Sequence, residues 1–269
     1  AQQIEVIKGP MSVIYGSNAL AGTINIIRNS DQKRRANIRA AYESDGQYNI
    51  SGAFTQPIGT NQSLTFSASR LLFDGWSLND TDRTFDWIPK VQYTGRLAYQ
   101  YKSDSFQMQI RSEYLNSFLL DRGQPLAPYG EFAVDQKYTN IRLDNNVKMA
   151  WNFPHSNLSM IAGNNYFKRN KNKYFKDLVA QKETLIPVAS EQDTQQFSAS
   201  VFRAIYGFKH GHYETLIGLD GNTEAGHGQR IEGERQEQSD IAFFSSTEIK
   251  WHPRWISRFG LRVAHNTAF

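Results

Sequence analysis

Few residues in this chain carry side chains suited to chemistry, and they do not converge. There are six histidines and no cysteine, so disulfides, thiolate metal sites and cysteine nucleophiles are excluded. His210-Gly211-His212 resembles a metal pair. Two histidines with one residue between them and no neighbouring carboxylate are a poor ligand set, and they fall in a short turn. His227 and His265 are set aside as haem ligands in the same way. No Gly-x-Ser-x-Gly or similar pattern gathers a nucleophile, a base and an orienting group. No catalytic residue, metal or cofactor is therefore assigned, and the chain reads as a non-enzyme. What remains is binding chemistry. Trp76, Trp87, Arg122, Tyr129, Arg169, Lys171 and Lys173 sit in polar stretches that read as loops. Rings and cations of this kind suit an anionic chelate or the phosphates of lipopolysaccharide; the plain alternative is a solvated loop. A net charge of +4 on 30 basic and 26 acidic residues is too mild to argue for nucleic acid.

The elements that must position these residues are strands. A mean hydropathy of −0.57, with no apolar run near the roughly 18 residues a spanning helix needs, excludes a helical membrane protein. Aromatics reach 13%, which argues against disorder. From Ala36 onward the pattern has period two. Ala36, Ile38, Ala40 and Tyr42 alternate with Asn37, Arg39 and Glu43, and Leu64, Phe66 and Ala68 alternate with Ser63, Thr65 and Ser67. Eleven such segments can be drawn, each with one apolar and one polar face.

Connections between the segments are alternately short and long. Short ones fall at 58–61, 103–105, 153–156, 207–211 and 252–254. Long polar ones fall near 74–89, 118–136, 168–190 and 221–238, while Asp45-Gly46 is a tight hairpin where a long loop is expected. Several segments run about 10 to 14 residues, against a usual strand length of about 5 to 6. A tilted transmembrane strand needs about 9 to 11. Tyr42, Tyr99, Tyr114, Trp151, Tyr166, Tyr206, Tyr213 and Trp251 stand near segment ends, where aromatic girdles meet the membrane interfaces. A soluble sheet also gives alternation and carries such rings as ordinary strand residues, so that alternative stays open and the sign of the faces must be weighed. The expected fold is mainly β, an antiparallel up-and-down outer-membrane barrel.

Residues 1–30 differ in texture. Ile4-Glu5-Val6-Ile7 and Thr23-Ile24-Asn25-Ile26-Ile27 are short β-type runs. Between them stand Lys8-Gly9-Pro10, a Met11–Tyr15 stretch with room for a helical turn or two, Gly16-Ser17-Asn18, and a small-residue run ending at Gly22. The spacing suggests part of a mixed α/β module. Lys33-Arg34-Arg35 marks a boundary after it. The chain opens without an initiating Met or an apolar leader and stops inside a strand-like run; it is expected to be a fragment cut at both ends.

The 24 residues from Ile4 to Ile27 resemble the end of the plug domain of TonB-dependent outer-membrane receptors. The shared pattern is Ile-Glu-x-Val/Ile-Lys/Arg-Gly-Pro, then Tyr15-Gly16, then the small-residue Gly22, then Ile24-Asn25-Ile26-Ile27. The resemblance implies a globular plug inside a barrel of about 22 strands, with residues 1–30 ending the plug and 31–269 beginning an incomplete barrel of about half the strands. It implies active import of a scarce ligand from the cell surface across the outer membrane of a Gram-negative bacterium: an iron chelate, haem or cobalamin, with glycans as the alternative. Energy would come from the TonB–ExbB–ExbD complex through an N-terminal box that this chain does not contain. Lipid and lipopolysaccharide would be the other partners. The motif residues are Glu5, Lys8, Gly9, Pro10, Tyr15, Gly16, Gly22 and Asn25. Family members lock plug to barrel wall through charges here, so Glu5 and Lys8 are the lock candidates. Lys8 stands where many members have Arg, and a lysine lacks the planar two-pronged fork of arginine. Two other classes remain: an outer-membrane hydrolase, for which no site is visible, and a surface-binding barrel without transport, for which a plug motif has no use.

Overall fold

The computed structural model describes residues 3–8, 13, 22–27, 33–79, 83–252 and 254–267. Among these residues there are two sheets. Strands β1 (Gln3–Lys8) and β2 (Gly22–Ile27) form an antiparallel pair, with Glu5 opposite Asn25 and Lys8 opposite Gly22. The other described strands form one antiparallel sheet. Its strands are β3 (Arg35–Glu43), β4 (Gln47–Ile58), β5 (Gln62–Phe73), β6 (Lys90–Lys102), β7 (Phe106–Asp121), β8 (Phe132–Asn152), β9 (Ser156–Asp177), β11 (Asp193–His210), β12 (Tyr213–Gly228), β13 (Arg235–His252) and β14 (Trp255–Asn266). They pair in sequence order, with β3 and β14 at the two edges. A short β10 (Glu183–Leu185) pairs with β9 in the same sheet, off this sequential path. The eleven alternating segments of the sequence are these eleven neighbours, joined up and down as expected.

The faces have the sign that a membrane barrel requires. Ile38, Ile50, Phe66, Leu97, Ile110, Phe243, Leu261 and Val263 are all exposed. The registers place them on one side, as in Phe66 opposite Leu97 and Phe243 opposite Val263. All eight expected girdle aromatics share that side. Tyr42, Tyr99, Trp151, Tyr206, Tyr213 and Trp251 stand near strand ends, whereas Tyr114 and Tyr166 fall mid-strand in β7 and β9. Tyr101, Phe106 and Trp151 make a ladder with ring centroids 5.8 and 4.9 Å apart beside the 103–105 and 153–155 turns. Tyr42 and Tyr48 pair at 4.8 Å beside the 44–46 hairpin at the other end. The opposite face carries hydroxyls, amides and ion pairs, among them Thr55 to Thr65 at 2.9 Å, Ser69 to Thr94, and Arg96 to Glu113 at 2.7 Å. Among the described residues only Ala133, Ala242 and Phe244 form a buried hydrophobic set. A dry interior between two layers is not how this sheet is stabilised. No described helix is long and apolar enough to cross a membrane, which has no bearing on strands.

The strands are much longer than the alternation suggested. β8 has 21 residues and β9 has 22, a length on the order of 70 Å at about 3.3 Å per residue. On the outward side of β9, Leu158, Met160, Ala162, Asn164 and Tyr166 are followed by Lys168, Asn170 and Asn172. The lipid-type band therefore ends at Tyr166; beyond it Lys168, Asn170 and Asn172 make the outer side as polar as Arg169, Lys171 and Lys173 make the inner one. A segment polar on both faces shows no period-two signal, which is why its sequence reads as loop. The expected loops at 118–136, 168–190 and 221–238 contract to residues 122–131, 178–192 and 229–234.

Candidate functional site: a polar wall and an outer platform

Of the motif residues, Gly9, Pro10, Tyr15 and Gly16 lie outside the described residues, as do the side chains of Glu5, Lys8 and Asn25. The lock expected of Glu5 and Lys8 thus stays an expectation. A different contact is described. Val13 lies against the polar face of β14.

That part of the wall is built from four strands. Arg203 on β11 stands opposite Asp220 on β12, and its Nε donates to Asp220 Oδ1 at 2.5 Å and its Nη2 to Oδ2 at 3.1 Å. From β14, Arg262 Nη1 donates to Asp220 Oδ2 at 2.8 Å and to the Val13 carbonyl at 3.3 Å. One carboxylate is clamped by two guanidiniums and is only 14% exposed. Below it, Phe244 on β13 is fully buried, stands opposite Arg262, and carries that guanidinium over its ring at 5.4 Å. Sequence reasoning missed Arg203, Asp220, Phe244 and Arg262. Alternation puts each on the polar face, but which strand stands beside which, and in what register, is not written locally.

At the outer end, the loop 74–89 is pinned to the loop 122–131. Trp76 and Trp87 bridge through reciprocal backbone hydrogen bonds at 3.0 and 2.9 Å, with rings 5.0 Å apart. Arg83 makes a two-pronged contact with Asp135 at 2.7 and 2.6 Å and donates to the Gly123 carbonyl at 2.7 Å. Arg122 lies over the Phe85 ring at 5.4 Å, and Gln124 donates to Thr84 at 2.8 Å. Burial pushes the Asp135 carboxyl up. The Arg83 hydrogen bond, the Gly123 amide and the charges of Arg83 and Arg122 outweigh that, and hold it below the usual carboxylate range. Arg122 is thereby a structural cation of the platform. Trp87 and Tyr129 are exposed on it, Tyr129 at 84%.

Arg169, Lys171 and Lys173 are not loop residues. They belong to β9, so alternation sends them to the inward side and Lys168, Asn170 and Asn172 to the outward one. The basic run is therefore not a single patch. Arg169 lies over the Tyr138 ring at 4.8 Å, Lys171 stands opposite Asp193, and Lys173 is paired with Glu191. The Lys173 hydrogen bond and charge lower the Glu191 carboxyl. His210 ends β11 and His212 follows in the turn before β12. Among the described residues, no group of three histidine or acidic side chains is placed to hold a metal.

No family model matches the chain. Over 122 residues it is 36% identical to the iron-regulated outer membrane virulence protein of two Vibrio cholerae strains, a match that covers 41% of this chain and 18% of the relative. In structure it resembles the ferric yersiniabactin uptake receptor of Yersinia pestis (TM-score 0.57, 13% identity, 96% of this chain and 51% of that one). It also resembles the ferric-catecholate import receptor of E. coli K12 (TM-score 0.54, 10% identity, 97% and 59%). A third is the ferric preacinetobactin receptor of Acinetobacter baumannii (TM-score 0.51, 12% identity, 96% and 52%). The chain thus spans about half the length of these solved receptors, and the likeness to them is one of fold.

Proposed function

We propose that this chain, which has the barrel fold of the TonB-dependent outer-membrane receptors and resembles that family in its opening motif, is part of an importer that captures a scarce ligand at the cell surface and passes it to the periplasm. In this reading residues 1–30 end the plug and residues 31–269 form barrel wall in the outer membrane. The observation that carries it is a combination. A plug-type motif precedes a sheet whose apolar face points outward, and Val13 of that opening segment rests on the polar face. A barrel that only displayed a surface would not need a segment seated on its inner wall. The cargo is an iron chelate. The iron-regulated relative and the ferric-chelate receptors of like fold support this, as do the exposed rings of Trp87 and Tyr129 on the outer platform. The energy is supplied by TonB with ExbB and ExbD, since binding alone moves nothing against a gradient. No bond is made or broken by the chain.

The test uses the complete gene in a strain lacking its own ferric-chelate receptors. Growth on one iron chelate as sole iron source is expected, and is expected to vanish when tonB is deleted. Growth that persists without TonB, or cell-surface binding without uptake of any iron chelate offered, would overturn the reading.

A further inference from the structure

We infer that the inner wall of β12–β14 is a built seat for the opening segment, with Arg262 as its latch. Gly260 is the first reason. A Cβ at this position would lie 2.9 Å from both γ-carbons of Val13 and 3.3 Å from its Cβ. The residues two before and two after on the same face are Arg258 and Arg262, so the missing side chain leaves a gap one valine wide between two large ones. Arg262 is the second. Its guanidinium is held from below by the Phe244 ring and from the side by Asp220, which Arg203 fixes in turn. The donor that reaches the Val13 carbonyl is therefore positioned before the segment arrives. Two guanidiniums share one carboxylate, and arginine has five N–H donors, so Arg262 has a donor for a backbone carbonyl without giving up Asp220. When Val13 leaves, the cation keeps its carboxylate. The contact can open without stranding a charge in the wall.

The chain has no cysteine of its own; with any cysteine elsewhere in the complete gene product replaced by serine, the seat can be tested by cross-linking in outer membranes. The pair Val13→Cys with Gly260→Cys places two Cβ atoms close to the roughly 3.5–4.5 Å of natural disulfides. It is expected to oxidise to a faster-migrating monomer on non-reducing gels. Ala242→Cys with Ala264→Cys, facing register partners on β13 and β14, reports that the wall is folded and oxidisable. With Val13→Cys alone, Arg262→Ala is expected to raise the rate of maleimide labelling several-fold and Arg262→Lys by less. Arg39→Ala on β3 is expected to leave it unchanged. The inference is overturned if the wall pair cross-links and the 13–260 pair does not, or if Arg262→Ala leaves the labelling rate unaltered. Uptake is not the readout, so failure of the import reading would not be mistaken for failure of the seat.

Discussion

Gly218 lies flat against the ring of Phe244, its register partner on the neighbouring strand: a Cβ at 218 would fall 2.1 Å from Phe244 Cζ. The ring fills the space a side chain would take, and it supports Arg262 in doing so. Gly218→Ala forces the ring, or the strand, to move. Overpacking of this kind costs about 1–3 kcal/mol. The expected result is a lower urea midpoint for the refolded receptor in lipid vesicles, together with faster labelling of a cysteine at Val13. An unchanged midpoint and labelling rate would mean that the ring relaxes freely.

The Arg83–Asp135 pair gives the outer platform a pH dependence. The Asp135 carboxyl is held below its ordinary value, so its contribution is full above the unfolded carboxylate pKa of about 3.9 and is lost as the pH falls through the lower, folded value. Hydrogen-exchange protection of residues 74–79 and 83–89 is expected to be constant from neutral pH down to about 4 and to drop below that. Asp135→Asn is expected to remove the protection at every pH. Breaking a buried ion pair from one side costs about 3–5 kcal/mol.

The two faces of one strand pair should respond unequally to a long polar side chain. Leu97 is on the exposed apolar side of β6. Leu97→Lys places an ammonium in lipid, at about 2–4 kcal/mol near the midplane. Ser67 on β5 stands opposite Arg96 on the polar side, and Ser67→Gln is expected to stay within about 1 kcal/mol. Folded yield on heat-modifiability gels reads both. Equal losses would contradict the assignment of the lipid face.

Expressed by itself, the chain presents two edge strands, β3 and β14, and an exposed apolar side. Open edges pair with other chains, and in lipid each unsatisfied backbone group costs several kcal/mol by order of magnitude. Size-exclusion chromatography without detergent is expected to show aggregate. A monodisperse water-soluble monomer would argue against the membrane face.

Much of the fold was legible in the residues because period-two alternation is a local property: each strand carries its own record of two unlike environments. The eleven neighbours, their up-and-down order and the aromatic belts followed from it. The opening motif was equally local, down to the β-runs that became β1 and β2. The upper parts of β8, β9 and β12 were not legible, since a strand wet on both faces has no alternation to show. Arg169, Lys171 and Lys173 were mistaken for loop residues for that reason.

The sequence by itself determined the class of the fold and the sign of its two faces, because both depend on the order of residue types along the chain. Only the tertiary structure decided which side chains meet. Asp220 between Arg203 and Arg262, Arg83 on Asp135, and Val13 in the gap at Gly260 join residues 17, 42, 52 and about 247 positions apart. Such meetings are set by strand register and by loops crossing the barrel end, and those arise from the summed pairing of the whole sheet, not from any one stretch of it.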